Sequence, residues 1–273
     1  MEYYMIKTTK LFTAVLLASV LIVLTNCSML KMISDSNAYM AEQDKCENSG
    51  HIFLWKMTSE AYPAQSRQTC LKCGETTGST RATALGDLGT GDGYIFYIAP
   101  NGFTVKGYGS PGTAGYFAAY TAHYLEAGPP EGYPHETYRR TRGDGAWTSF
   151  GVRKAWSYSD KRTGATGTEL GTGRANTAAI LATDPGAPAA LTCRNNKSGG
   201  KSDWFFPSKG ELEMMYTRRQ HLEKDYANMH AVWSSTEVSD KNAFGLDFDG
   251  KYNFSNTPKK NELDLVVRSI RAF

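Results

Sequence analysis

Three cysteines and a histidine fall within 28 residues of this chain, and no other feature restricts its fold as much. Cys46, His51, Cys70 and Cys73 are spaced C-x4-H, then eighteen residues, then C-x2-C-G. Thiolate sulfur and imidazole nitrogen are the donors of closed tetrahedral metal sites, and two ligand pairs on turns at the ends of short strands make the pattern of a zinc ribbon. Gly74 follows the second pair and permits the tight turn that aims both sulfurs at one point. Ile52 to Trp55 and Arg67 to Thr69 read as extended and supply the strands of such a hairpin. About 30 residues cannot bury enough apolar surface to fold alone, so a staple is expected. Structural zinc on all four residues is the preferred reading. Disulfides, or a Cys70–Cys73 redox pair, stay open as alternatives.

The N-terminus points to export. Lys7 and Lys10 precede Leu11 to Leu24, an apolar stretch interrupted only by Thr13 and Ser19. It is too short to span a bilayer as a helix and has the length of a secretory signal core. It ends at Leu24-Thr25-Asn26-Cys27, which resembles a bacterial lipobox, with Asn26 where Gly or Ala is usual. Acylation of Cys27 would anchor the chain to a membrane, since each buried methylene contributes about 0.8 kcal/mol. An uncleaved signal anchor and a buried helix are the competing readings. Residues 27 to 44 have neither clean periodicity nor turn clusters and read as a tether.

The remainder, 81 to 273, reads as one large domain. Gly86 to Gly93 is the densest glycine run, but it is followed by the strand-like Tyr94 to Ile98. A phosphate-binding loop follows a strand and opens a helix, so the order is wrong for nucleotide binding. Gly173 to Thr183 and Pro188 to Arg194 read as short helices, the second with Cys193 on its inner face. Ser208 and Glu211 form a capping box that starts a third helix, with Leu212, Met215, Tyr216 and Arg219 on one face. Val232 to Thr236 and Ala243 to Phe248 read as strands, the latter with Phe244, Leu246 and Phe248 together. Asp249-Gly250 marks a hairpin turn back through Lys251 to Phe254, and Leu263 to Phe273 a last strand.

Seven blocks of this region, in order, carry a resemblance. They are GDLGTGDGYIFY (86 to 97), YLEAGP (124 to 129), TGTELGTGRANTAAIL (166 to 181), SDWFFPSKGELEMMY (202 to 216), VWSSTE (232 to 237), NAFGLDF (242 to 248) and VRSIRAF (267 to 273). The region resembles the Lcl C-terminal domain family, named for the terminal domain of a bacterial collagen-like adhesin and common in bacterial surface lipoproteins. The resemblance implies a C-type-lectin-like fold related to formylglycine-generating enzymes. Those enzymes hold copper with a pair of cysteines, whereas this domain has only Cys193, so that oxidase activity is not carried over. Trp204, Phe206, Pro207, Trp233 and Phe273 are expected in the core. Asp203, Ser235 and Glu237 are expected to make internal hydrogen bonds.

The formal charge of +3 is too small to draw the whole chain to nucleic acid. No G-x-S-x-G elbow or H-E-x-x-H helix occurs, and an enzyme is not expected. Between Gly128 and Thr163 an excursion carries seven basic residues against four acidic ones, interleaved with aromatic rings. Arg139, Arg140, Arg142, Trp147, Arg153, Trp156 and Tyr158 are its candidate ligand-binding residues, suited to an anionic glycan or a protein partner. The expected fold is therefore α+β: a C-type-lectin-like domain over 81 to 273 with antiparallel strands and two or three short helices. A zinc-ribbon-like hairpin over 45 to 80, the tether and a signal peptide over 1 to 26 precede it. The expected function is that of a lipid-anchored, exported bacterial binding protein at the outer membrane or cell surface. A purely structural envelope lipoprotein is the alternative.

Overall fold

The computed structural model describes residues 51–71, 73–128, 153–222, 231–248, 253–259 and 265–273. In chain order the strands are β1 (Phe53–Met57), β2 (Gln65–Cys70), β3 (Thr76–Ala82), β4 (Tyr94–Val105), β5 (Tyr120–Ala127) and β6 (Arg153–Lys154). After these come helices α1 (Gly173–Thr183), α2 (Pro188–Asn195) and α3 (Lys209–Thr217). The chain then continues through β7 (Ala231–Glu237), β8 (Asn242–Asp247), β9 (Asn253–Pro258), β10 (Leu265–Val266) and β11 (Ile270–Ala272). The fold is α+β, with three sheets ordered β1-β2-β3, β11-β5-β4 and β6-β10-β7-β8-β9. All recorded pairings between these strands are antiparallel except β10 with β7.

Local chemistry explains the helices. α2 starts with Pro188, whose missing N–H costs nothing in a first turn. α3 carries the capping box read from the sequence: Ser208 Oγ accepts from Glu211 N, and Glu211 Oε2 accepts from Ser208 N at 2.7 Å. Leu212 and Met215 are buried, but the expected stripe does not reach Arg219. The α-helix ends at Thr217, and the exposed Arg219 guanidinium lies 4.2 Å from the Tyr216 ring centre.

Two apolar clusters occupy opposite faces of the five-stranded sheet. Val232, Phe244 and Val266 join Phe96, Leu125, Phe205, Leu212 and Ile270 in one. Their neighbours Trp233, Ala243 and Leu265 join Trp156, Ile180, Cys193 and Phe206 in the other. Successive side chains of a strand point to opposite faces, so these strands must be apolar on both. Phe244, Leu246 and Phe248 pack into the first cluster together, as their alternation suggested.

One sequence expectation requires correction. The last strand is not continuous from 263 to 273: β10 pairs with β7, and three residues later β11 pairs with β5. The crossing between sheets is held by Gly128 N, which donates to Ser269 O at 2.9 Å, and by Asn196 Nδ2, which donates to Ser269 Oγ at 2.6 Å. The chain divides into two compact units, Met1–Ile52 with Cys70–Glu75, and Phe53–Thr69 with Thr76–Phe273. Within the second, Met57 and Ala64 bury themselves against Ile95 and Tyr124, and Ala64 N donates to the Tyr124 hydroxyl at 2.9 Å. The turn expected at Asp249-Gly250 lies outside the described residues.

The glycine-rich turns are occupied by the chain's own carboxylates. Gly91 N and Gly93 N donate to Glu126 Oε1 at 2.9 and 2.7 Å. A Cβ on Gly89 would sit 2.3 Å from Glu126 Cδ, and one on Gly93 2.1 Å from Ala127 O. Around Glu211 the same arrangement recurs: Gly171 N donates to Oε1 at 2.9 Å, and a Cβ on Gly173 would meet Oε2 at 2.2 Å. Glu237 takes Thr163 N at 2.8 Å and Gly164 N at 3.0 Å, together with the ammonium of the fully buried Lys259. Each wrapped carboxyl group thereby finds its hydrogen bonds within the chain, which burial away from water requires.

This packing predicts that Gly89→Ala destabilises the protein by about 2–3 kcal/mol, because the added methyl overlaps a buried carboxylate that cannot move away. Gly78→Ala, where a Cβ meets nothing within 4 Å, is neutral or stabilising by up to about 1 kcal/mol. Denaturant midpoints of the two variants check this; equal midpoints would contradict the tight wrapping of Glu126.

Candidate functional site

The described part of the smaller unit contains His51 and the turn from Cys70 to Glu75. Leu71 N donates to Ile52 O at 3.0 Å, which lays the residue after His51 along the turn. Gly74, at φ +77°, donates its N–H to Cys70 O at 2.9 Å, and Cys70 N donates to Glu75 O at 2.7 Å. A side chain at Gly74 would strain this backbone, so the glycine closes the turn as expected. The result places donor atoms of His51, Cys70 and Cys73 within 4.8 Å of one another, with His51 Nδ1 3.5 Å from Cys73 Sγ. Ligand atoms at roughly 2.0–2.3 Å from a tetrahedral ion lie about 3.5–3.8 Å apart, so the separation suits a shared metal. The three residues could hold a metal ion. Glu75 Oε2 lies 3.4 Å from His51 Nδ1 and adds a negative charge at the rim. Cys46, the fourth residue of the sequence pattern, lies outside the described residues.

The larger unit is organised around Arg271, whose side chain is 2% exposed. All five guanidinium N–H groups are used. Nε and Nη2 grip Asp203 Oδ1 and Oδ2 at 2.9 Å each, Nη1 donates to Thr90 Oγ1 at 3.0 Å and Glu126 Oε2 at 3.2 Å, and Nη2 also donates to Glu60 Oε1 at 2.7 Å. Phe273 covers the guanidinium at 4.5 Å. Lys201 approaches Glu60 at 2.8 Å and Thr90 donates to the same carboxylate at 2.5 Å. The fork geometry of arginine is what allows one residue to bind four chain segments.

Electrostatics differ sharply among these acids. Burial pushes the Glu126 carboxyl up to about 7, against the pull of Arg271 and the amides of Gly93 and Gly91. Burial likewise raises Glu211 to about 7 against the amides of Ser208 and Gly171. Burial also works against ionisation of Glu60, but hydrogen bonds from Lys201, Thr90 and Arg271 prevail and hold it down at about 2.

The ligand-binding residues expected from the sequence divide into three groups. Arg139, Arg140, Arg142 and Trp147 lie outside the described residues, as does Cys27. Arg153, on β6, is exposed, and Tyr158 is 69% exposed. Trp156 is a correction: it is fully buried in the second apolar cluster, where it supports the core and offers no surface to a ligand. Its Nε1 donates to Ser234 O at 2.7 Å, and Lys259 Nζ lies 4.6 Å from its ring centre. Its spacing among Arg and Tyr residues concealed this, because a tryptophan has the same composition signal in a core and on a binding face.

Trp204, Phe206, Pro207 and Trp233 are buried, and Phe273 is partly so. Asp203 pairs with Arg271, Ser235 Oγ accepts from Asn176 Nδ2 at 3.3 Å, and Glu237 is wrapped as described. Glu60 escaped the sequence reading, and Glu126 and Arg271 entered it only as members of the YLEAGP and VRSIRAF blocks, with nothing to show that they pair. No helix among the described residues is long and apolar enough to cross a membrane. No family model, curated protein or solved structure matches the chain.

The raised carboxyls fix the sign of a pH effect. Between about pH 4.5 and 7 the folded protein keeps protons on Glu126 and Glu211 that the unfolded chain has released, so their contribution to stability falls as pH rises through that window. Glu60 acts oppositely, contributing above 4.5 and losing its contribution as pH falls toward 2. Glu211→Gln should remove roughly 2–3 kcal/mol of the wild-type decline between about pH 5 and 7.5. Urea midpoints measured at both pH values check it, and an identical pH slope in the two proteins would refute a protonated Glu211.

Proposed function

We propose that this chain is an exported, lipid-anchored bacterial binding protein. Cys27 carries the anchor, a zinc-stapled turn lies near it in sequence, and a C-type-lectin-like domain presents a non-catalytic binding surface. Support for zinc comes from the donor set: two thiolates and an imidazole suit a closed tetrahedral zinc site, with Cys46 as the fourth ligand on sequence spacing. Such an ion stabilises a short segment that has little core of its own.

The observation that carries the binding reading is how the basic excursion joins the domain. On one side Gly128 N is bonded to Ser269 O; on the other Arg153 is the β-partner of Val266. Both attachments fall on the same C-terminal stretch, beside strands buried on both faces. Long insertions on so firm a base are commonly where binding residues reside. Arg139, Arg140, Arg142, Trp147, Arg153 and Tyr158 remain the proposed contacts, with Trp156 withdrawn to the core. Guanidinium groups and aromatic rings favour an anionic glycan or an acidic protein face.

The structural envelope role is the second reading. It draws support from the buried Glu126, Glu211 and Glu237, whose hydrogen-bonding capacity is directed at the chain's own amides and cations.

Metabolic labelling with a fatty-acid analogue should mark the wild type, and Cys27→Ser should lose the label; label retained in the variant would remove the anchor from Cys27. On glycan and matrix-protein arrays the chain from Ser28 onward should bind anionic members in a salt-sensitive way. Changing Arg139, Arg140 and Arg142 to Ser should weaken that binding with an unchanged melting temperature. A silent array would favour the structural reading, and binding indifferent to the triple change would place the surface elsewhere.

A further inference from the structure

The two cysteines of the C-x2-C turn differ in a way that a purely structural metal site does not require. Cys70 is buried and Cys73 is exposed, while their sulfurs lie within 4.8 Å of one another. Exposed Cys73 Sγ faces His51 Nδ1 at 3.5 Å. The turn between them is held by main-chain bonds at Cys70, and on its outer side a Cβ added at Gly74 would meet nothing within 4 Å. An accessible thiol with a second, buried thiol close behind it is the arrangement of a reacting and a resolving cysteine.

We propose that Cys73 is the point of attack for hydroperoxides and Cys70 its resolving thiol, so that oxidation turns the metal-binding turn into a disulfide and releases the ion. In the first step Cys73 sulfur attacks the peroxide O–O bond. An S–O bond forms, the O–O bond breaks, and water or an alcohol leaves with the thiol proton or, where Cys73 is a metal-bound thiolate, with a proton from solvent, giving a sulfenic acid on Cys73. In the second step Cys70 sulfur attacks Cys73 sulfur. The S–S bond forms, the S–O bond breaks, and hydroxyl leaves as water with the Cys70 proton or, where Cys70 is a metal-bound thiolate, with a proton from solvent as the ion departs. The two sulfurs together lose two electrons and the peroxide gains them.

A disulfide needs its sulfurs at about 2.05 Å, a closure that side-chain rotation within a C-x2-C turn can reach. Both sulfurs are then lost as donors, and the two ligands left of the proposed four, His51 and Cys46, do not complete a tetrahedral site. The buried position of Cys70 protects it from direct oxidation and leaves Cys73 as the entry point. A bound ion competes with peroxide for the same sulfurs, so metal loading should slow the reaction. The site therefore holds its ion only while its thiols are kept reduced.

Release of zinc depends on the metal reading above, whereas the order of oxidation does not. The test uses the full chain, purified without chelator, its metal measured by elemental analysis, then exposed to hydrogen peroxide. Zinc release is followed with a chromophoric chelator, and thiol chemistry by dimedone trapping and peptide mapping. The expected result is dimedone on Cys73 first, then a Cys70–Cys73 disulfide, with one ion released per disulfide and both changes reversed by a thiol reductant and added zinc. Cys70→Ser should accumulate trapped sulfenic acid at Cys73 and form no such disulfide; Cys73→Ser should lose early trapping altogether. Wild-type mapping decides the matter even if either variant folds poorly. Trapping at Cys70 before Cys73, a disulfide from Cys73 to Cys46, or zinc lost with both thiols still reduced would overturn the proposal. Protein that holds no zinc yet forms the Cys70–Cys73 disulfide through Cys73 would retain the oxidation step and defeat the metal reading.

Discussion

A carboxylate removed from water must be given back its hydrogen bonds, and in this protein backbone amides from glycine-rich turns do much of that work. Glu126 is the central case. It lies on β5 between the amides of Gly91 and Gly93 and the guanidinium of Arg271 on β11. The turn can close only because Gly89 and Gly93 lack side chains, so the glycine run and the buried acid require each other. Arg271 then extends the constraint to Glu60, Asp203 and Thr90, residues as far as 211 positions away in the chain. Removing the buried Glu126 would leave the buried Arg271 guanidinium short of a partner, a loss of about 3–5 kcal/mol, whereas Glu60 and Asp203, each about a third exposed, contribute less. Because the contacts span most of the chain, the cluster fixes where the β1–β2 loop, the glycine turn and the segment after α2 meet.

Glu211 and Glu237 repeat the arrangement with different partners. Glu211 is at once the capping residue of α3 and the acceptor for Gly171, so one side chain sets where a helix starts and where the preceding loop turns. Glu237 joins the end of β7 to Thr163, Gly164 and Lys259, near the point where the basic excursion returns to the domain. These bonds give otherwise irregular connections fixed positions beside the strands. In the binding reading, that is the property a surface excursion needs from its base.

Much of this architecture could be read from local chemistry. The helices from Gly173, Pro188 and Lys209 announce themselves through turn residues, a proline at a first turn and a capping box. β7 shows through its aromatic and β-branched run, β8 through the alternation of Phe244, Leu246 and Phe248, and the Cys70–Cys73 turn through spacing alone. What could not be read depends on distant partners. The glycine run before β4 showed that no phosphate loop was expected, but not that Glu126, over 30 residues on, would fill it. The switch of the C-terminal strand between sheets depends on Gly128 and Asn196, and nothing in VRSIRAF records them. Trp156 was misread for the same reason: only the tertiary position of Ser234 and Lys259 makes it a core residue.

The central claim is that buried glutamates lock the glycine turns, and amide hydrogen exchange on the intact chain tests it most directly. Amides of exposed turns exchange through small local openings, whereas those bonded inside a cooperative core exchange only when that core opens. The account predicts that Gly91, Gly93 and Gly171 exchange as slowly as the paired amides of β4 and β5, although all three lie outside regular strands. Exchange of these glycines at the rates of an exposed turn such as 109 to 115 would contradict it.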